Sequence, residues 1–172
     1  MRVSDQPLIS AAAIAARVGE LGLEITADYT GKRPLLLAVL KGASLFLADL
    51  ARELPIELEL DFVQARSYAG TRSTGNVALS RAEDLEVTGR HVIVVEDIID
   101  TGRTAAALLE RLRGLSPASL ALCALLDKPS RRVVEVRPDY TGFCINDHFV
   151  VGYGLDCDGL HRNLPAVHVM EA

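Results

Sequence analysis

Residues 91–110, HVIVVEDIIDTGRTAAALLE, leave the chain few folds to choose from. Val92 to Val95 is an apolar, β-branched run, bounded by Gly89 and too short for a helix. Such a run suits a strand buried on both faces, as in a parallel sheet. The acids Glu96 and Asp97 follow at once, then Ile98, Ile99 and the loop Asp100, Thr101, Gly102, Arg103. From Thr104 an alanine- and leucine-rich helix is expected. Strand, acidic pair, glycine loop and helix together form the unit of an α/β fold.

That order carries a chemical expectation. A helix start presents N–H groups with no internal partner and a partial positive charge. Thr101 and Thr104 add hydroxyls, and Gly102 would let the backbone approach a ligand, so the loop can cradle a phosphate monoester. Glu96 and Asp97 would lie in the crevice beyond the carboxyl ends of the strands. Vicinal carboxylates there suit a sugar diol or a hydrated magnesium ion. Phosphate, diol and magnesium side by side describe a ribose phosphate. A generic βα turn with surface acids is the plainer reading, but acids, two apolar residues and DTGRT in a row is a much rarer pattern.

EDIIDTGRT resembles the phosphoribosyl-pyrophosphate signature of the type I phosphoribosyltransferases, and most of all their hypoxanthine (6-oxopurine) branch. The resemblance implies one domain over residues 1–172, a parallel twisted sheet flanked by helices, with a small flap or hood. It implies Mg2+ as cofactor, with Glu96, Asp97 and Asp156 on the metal side. It implies transfer of phosphoribose from phosphoribosyl pyrophosphate to a 6-oxopurine, giving a nucleoside monophosphate. Asp100 would face the attacking ring nitrogen, while residues 100–104 hold the 5′-phosphate. The alternatives are a transferase preferring xanthine or guanine, and a non-catalytic phosphoribosyl-pyrophosphate sensor that regulates transcription.

Composition agrees with a cytoplasmic enzyme. The 172 residues fit one domain, and 49% hydrophobic content argues against disorder. A net charge of −5 and a pI near 5.4 speak against a nucleic-acid partner. No run approaches a membrane span, and MRVSDQPLIS lacks the apolar centre of a signal peptide. Cys123, Cys144 and Cys157 are spaced for neither disulfides nor zinc. A homo-oligomer, dimer or tetramer, is expected.

The rest of the chain falls into place around that stretch. Ser10 can cap a helix through AAAIAARVGEL, with Gly19 and Gly22 weakening it and a further turn or two over Leu23 to Tyr29. Leu35 to Leu40 reads as a strand, followed by Lys41, Gly42, Ala43, Ser44 and a capped helix, LFLADLARELP. By resemblance Lys41 and Gly42 form a pyrophosphate loop, with a non-proline cis peptide at Leu40–Lys41. IELELDFVQA alternates as a half-exposed strand does, and the polar stretch RSYAGTRSTGN corresponds to a lid carrying Ser67 and Tyr68. Ser119 to Leu126 reads as a strand that ends in Asp127 and Lys128; without the resemblance Lys128 is a solvated lysine before a proline turn. With it, Lys128 donates to the purine 6-oxo group. In FVVGYGLD, Phe149 would stack on the base, Val150 would read its edge through the backbone, and Asp156 would lie beside base and pyrophosphate. Phe149 read alone is an ordinary core aromatic. Arg162 corresponds to an arginine near the pyrophosphate. Cys157 stands where an aromatic often follows the aspartate, and the lid is about a residue short.

Overall fold

The computed structural model describes residues 1–67, 77–80 and 85–171. Its main sheet has six strands: β2 (Leu35–Leu40), β3 (Glu59–Ser67), β4 (Val77–Ser80), β5 (His91–Ile99), β6 (Ser119–Asp127) and β7 (Tyr140–Cys144). Their order is β4-β3-β2-β5-β6-β7, all parallel except β4, which returns antiparallel along β3. A second, three-stranded antiparallel sheet joins β1 (Arg2–Val3), β8 (Val150–Val151) and β9 (His168–Glu171). It is the expected small hood.

Side-chain alternation along the central strands builds two cores. Leu36, Ala38, Ile93 and Val95 point to the face covered by α1 (Ala11–Tyr29) and α2 (Ser44–Arg52). Leu35, Leu37, Val92 and Val94 point to the face covered by α3 (Arg103–Arg113). Val92 to Val95 are fully buried, as a doubly covered strand demands.

Two expectations need correction. α1 is one unbroken helix, from a Ser10 cap whose Oγ accepts from Ala13 N (3.1 Å) to Tyr29. Gly22 does not interrupt it: a Cβ there would come within 2.9 Å of the Glu53 carbonyl, so the glycine is the place where α1 passes the end of α2. The second correction is that β5 extends through both acids to Ile99, because its pairing with β6 continues to Asp127.

The chain leaves β2 through α2 for β3 on one side, and leaves β5 through α3 for β6 on the other. β2 and β5 are neighbours, so the winding reverses between them. A crevice must open beyond their carboxyl ends, the usual ligand position of an open α/β sheet. Among the described residues no helix is long and apolar enough to cross a membrane.

Candidate active site

Both turns that flank the crevice end in helices without side-chain caps. The N-cap of α3 is Gly102 and that of α2 is Ala43, which has no group to cap with. Ser44 Oγ donates back to Lys41 O instead (2.8 Å). The expected cap on α2 is therefore absent. α1, by contrast, has the Ser10 cap. The two helix starts that face the crevice thus keep amides available to an anion.

The β5 turn encloses a cleft of about 100 Å³ lined by Glu96, Ile98, Ile99, Asp100, Thr101, Gly102, Thr104 and Ala105. The loop expected to hold a phosphate thus lines a cleft, with Arg103 exposed beside it. Gly102 also has a packing task that its sequence context does not show. Its φ is +83°, and a Cβ would lie 2.6 Å from Val136 Cγ1 and 2.8 Å from Arg132 Cδ. The bare α-carbon admits the 132–136 segment behind the loop. Thr101 O accepts from Val133 N and Val134 N (3.0 and 3.3 Å), tying that segment down.

Because β5 runs through the acids, Glu96 and Asp97 leave on opposite faces of the sheet. Glu96 lines the phosphate-side cleft and is 5% exposed. Asp97 lies against the other turn, its Oδ2 on Gly42: a Cβ added at Gly42 would sit 1.6 Å from it. Burial and the Asp97 charge push Glu96 well above the ordinary carboxylate range. Burial likewise raises Asp97, opposed by backbone N–H groups and Arg162, to about 6. A cation or a pair of hydroxyls would relieve both. Among the described residues no three acidic, histidine or cysteine side chains gather as a complete metal cage. The set fits a magnesium ion held through one or two carboxylates, with substrate oxygens and water completing its shell.

The β2 turn, expected to meet pyrophosphate, is built by contact across the crevice. The Leu40–Lys41 peptide is cis, and Lys41 is exposed. Gly154 packs on Gly42, where a Cβ would be 2.1 Å from the Gly42 carbonyl oxygen. Arg162 Nη1 donates to Gly154 O (2.5 Å) and Nη2 pairs with Asp156 Oδ1 (2.6 Å). Asp156 Oδ2 accepts from Gly159 N (2.7 Å), so both its oxygens hold this loop together.

Lys128 is not the solvated lysine a proline turn suggests. It is 5% exposed, its N donates to Ile99 O (2.9 Å), and Nζ donates to His148 O (2.6 Å). Phe149, next in the chain, is 51% exposed and so is no core aromatic; Val150 is buried in β8. Asp100, Lys128 and the 146–149 segment therefore share one edge of the crevice. Of the expected lid, Tyr68 and the side chain of Ser67 lie outside the described residues.

Residues 8–158 match the family model described as a phosphoribosyl transferase domain. The chain belongs to the phosphoribosyltransferase family. Over 168 residues it is 45% identical to a hypoxanthine-guanine phosphoribosyltransferase of Lactococcus lactis, covering 97% of this chain and 91% of the relative. A hypoxanthine phosphoribosyltransferase of Salmonella typhimurium is 44% identical over 170 residues, covering 97% and 96%. A solved hypoxanthine-guanine phosphoribosyltransferase from Bacillus anthracis superimposes with a TM-score of 0.93 at 43% identity, covering 99% of this chain and all of that one. The expected type I phosphoribosyltransferase fold is thus the observed one.

Two arginines of this phosphoribosyltransferase carry structural weight that their sequence context hides. Arg132 Nη1 donates to Ile99 O and Asp100 O (3.1 and 2.6 Å), and Nη2 pairs with the buried Asp127. Arg131 Nε donates to Asp100 Oδ1 (3.1 Å). Arginines after a proline turn read as solvated side chains. Only the adjacency of β5 and β6 aims them at the phosphate loop. Tyr153, in FVVGYGLD, likewise ties the Gly154 turn to α2 by donating to Asp49 Oδ2 (2.5 Å).

Proposed function

We propose that this chain is a purine-salvage enzyme of the cytoplasm, forming IMP from hypoxanthine and phosphoribosyl pyrophosphate, and GMP from guanine. Lys128 carries the reading of the base: its buried ammonium at the crevice edge gives one N–H to His148 O and has three donors in all, and a 6-oxopurine brings a further acceptor. The names of the relatives point the same way. The chain would act as a dimer or tetramer with no nucleic-acid partner.

The reaction exchanges one bond at the anomeric carbon. The bond to the pyrophosphate oxygen breaks and pyrophosphate leaves with the electron pair, while a ring nitrogen of the base supplies the new bond. Positive charge builds on the ribose as it does so. Amides and hydroxyls of residues 100–104 would hold the 5′-phosphate, and Glu96 and Asp97 the ribose hydroxyls. Lys41, the Gly42 backbone and Arg162 would receive the leaving pyrophosphate. Magnesium held at Glu96 and Asp97, with Asp156 close by, supplies neutralising charge there when bound. Asp100 would take or share the proton of the ring nitrogen. Phe149 would stack on the base and the Val150 backbone would meet its edge.

The test is selectivity. Adenine presents a 6-amino donor to Lys128, and a site built for one hydrogen-bond partner rejects the analogue lacking it by about 10⁴–10⁵-fold. Pyrophosphate release should therefore be fast with hypoxanthine and very slow with adenine. Lys128→Ala should cut kcat/KM for hypoxanthine far more than for adenine. An unchanged ratio between the two bases would remove Lys128 from base reading, and no release with any of four purine bases would mark a non-catalytic sensor.

A further inference from the structure

Arg131 has no part in the reaction as described, yet it joins the two side chains on which the base depends. It closes a single 3-10 turn, Pro129–Arg131, where its N donates to Lys128 O (3.1 Å). Its guanidinium spans two carboxylates. Nε donates to Asp100 Oδ1 at 3.1 Å, and Nη1 lies 3.6 Å from Asp147 Oδ2. Asp147 Oδ1 in turn lies 3.9 Å from Lys128 Nζ. Asp100, Arg131, Asp147 and Lys128 thus form a row of alternating charge, with a proposed base-contacting group at each end. Arg132 cannot take over, since its guanidinium is held by Ile99 O, Asp100 O and Asp127.

We propose that Arg131 is a positioning residue: it fixes the Asp100 carboxylate through one oxygen, leaving Oδ2 for the attacking ring nitrogen, and links that pose to the base-edge segment through Asp147. The proposal rests on the reading of Asp100 given above. The physical need is plain. The Asp100 side chain is 40% exposed, and the terminal torsion of an aspartate is broad. Without a tether its oxygens would sweep the crevice mouth, and a reacting group displaced by an ångström forfeits much of its effect. An ion pair this open contributes little to folding, so its role should be visible in turnover and not in stability.

The experiment compares the full-length protein with Asp100→Asn, Arg131→Met and the double variant, measuring kcat, KM for both substrates and Tm. Arg131→Met should lower kcat by roughly 10- to 100-fold, with KM for phosphoribosyl pyrophosphate and Tm close to the parent values. In the Asp100→Asn background the same change should cost no further turnover, because the group it positions is gone. If Asp100→Asn is slow but Arg131→Met turns over like the parent, or if the two losses multiply, the positioning role is overturned while the reading of Asp100 stands. If Asp100→Asn itself turns over normally, that reading fails and the role of Arg131 fails with it.

Discussion

The turn out of β2 and the turn out of β5 share one pattern, strand, glycine, uncapped helix, but their glycines answer to different neighbours. Gly42 is outside the left-handed region and is small because the Asp97 carboxylate fills the space a Cβ would need. Gly102 is in the left-handed region and is small because Val136 and Arg132 fill the space behind it. One glycine faces the crevice carboxylate and the other faces the 132–136 segment. A glycine in a βα turn therefore marks close approach without saying of what, and only the fold supplies the direction.

Asp100→Asn tests the β5 turn most severely. The change keeps shape and removes the proton acceptor, so turnover should fall by roughly 10²–10⁴-fold, the usual range for a general acid–base group. The amides of residues 101–104 are untouched, and binding of phosphoribosyl pyrophosphate, measured by calorimetry, should barely move. Equal losses in binding and turnover would mean that Asp100 belongs to the cradle and not to the chemistry.

The two glycines can then be set against each other. At Gly42 an alanine methyl meets the Asp97 carboxyl group, 1.6 Å from Oδ2 and 2.4 Å from Cγ, so that carboxylate must rotate away from its bond to Ile98 N. Gly42→Ala should fold normally and lose about 10²-fold in kcat/KM for phosphoribosyl pyrophosphate, the effect of a misplaced group. Gly102→Ala meets backbone strain of about 1–2 kcal/mol as well as Val136. Its Tm should fall by roughly 3–6 °C, with a smaller kinetic loss in whatever remains folded. The comparison breaks if Gly42→Ala is the variant that melts early.

What could be read in advance follows from how local each signal is. The buried β5 strand was legible because Val92 to Val95 has no polar residue to put toward water. The loop between β5 and α3 was legible because DTGRT places a glycine and hydroxyls at a helix start. The split of Glu96 and Asp97 was not, since β5 continues past them only through pairing with β6, more than twenty residues away in the chain. The unbroken α1 was hidden for the same reason: Gly22 looks like a weak point until Glu53 is seen beside it. Phe149 read alone could have been core, and only its exposure shows that it is not. Arg131 and Arg132 carried no local signal, because each acts on a strand the sequence does not show to be next door.

The smallest expected effect concerns what braces the β2 turn from outside. Gly154 rests on the Gly42 carbonyl, and Tyr153 beside it has a φ of +50°, unfavourable for an L-residue with a side chain. The Tyr153 hydroxyl donates to Asp49 Oδ2 on α2, the helix that the β2 turn begins. Burial and this bond push the phenol above its ordinary range, so it stays a protonated donor at any pH at which the enzyme works. Tyr153→Phe removes the donor and leaves Asp49 paired with Arg52. One net hydrogen bond is about 1 kcal/mol, equivalent to roughly 2–4 °C in Tm for a chain of this length. If the brace serves the pyrophosphate side, kcat/KM for phosphoribosyl pyrophosphate should drop by no more than about fivefold, the kinetic equivalent of the same energy. The hypoxanthine-to-adenine ratio should stay where it was, because Asp100 lies on the β5 turn and Lys128 just past β6, neither of them on the β2 turn. A change in that ratio would mean that the two turns are coupled through Tyr153, and that the crevice is one unit and not two.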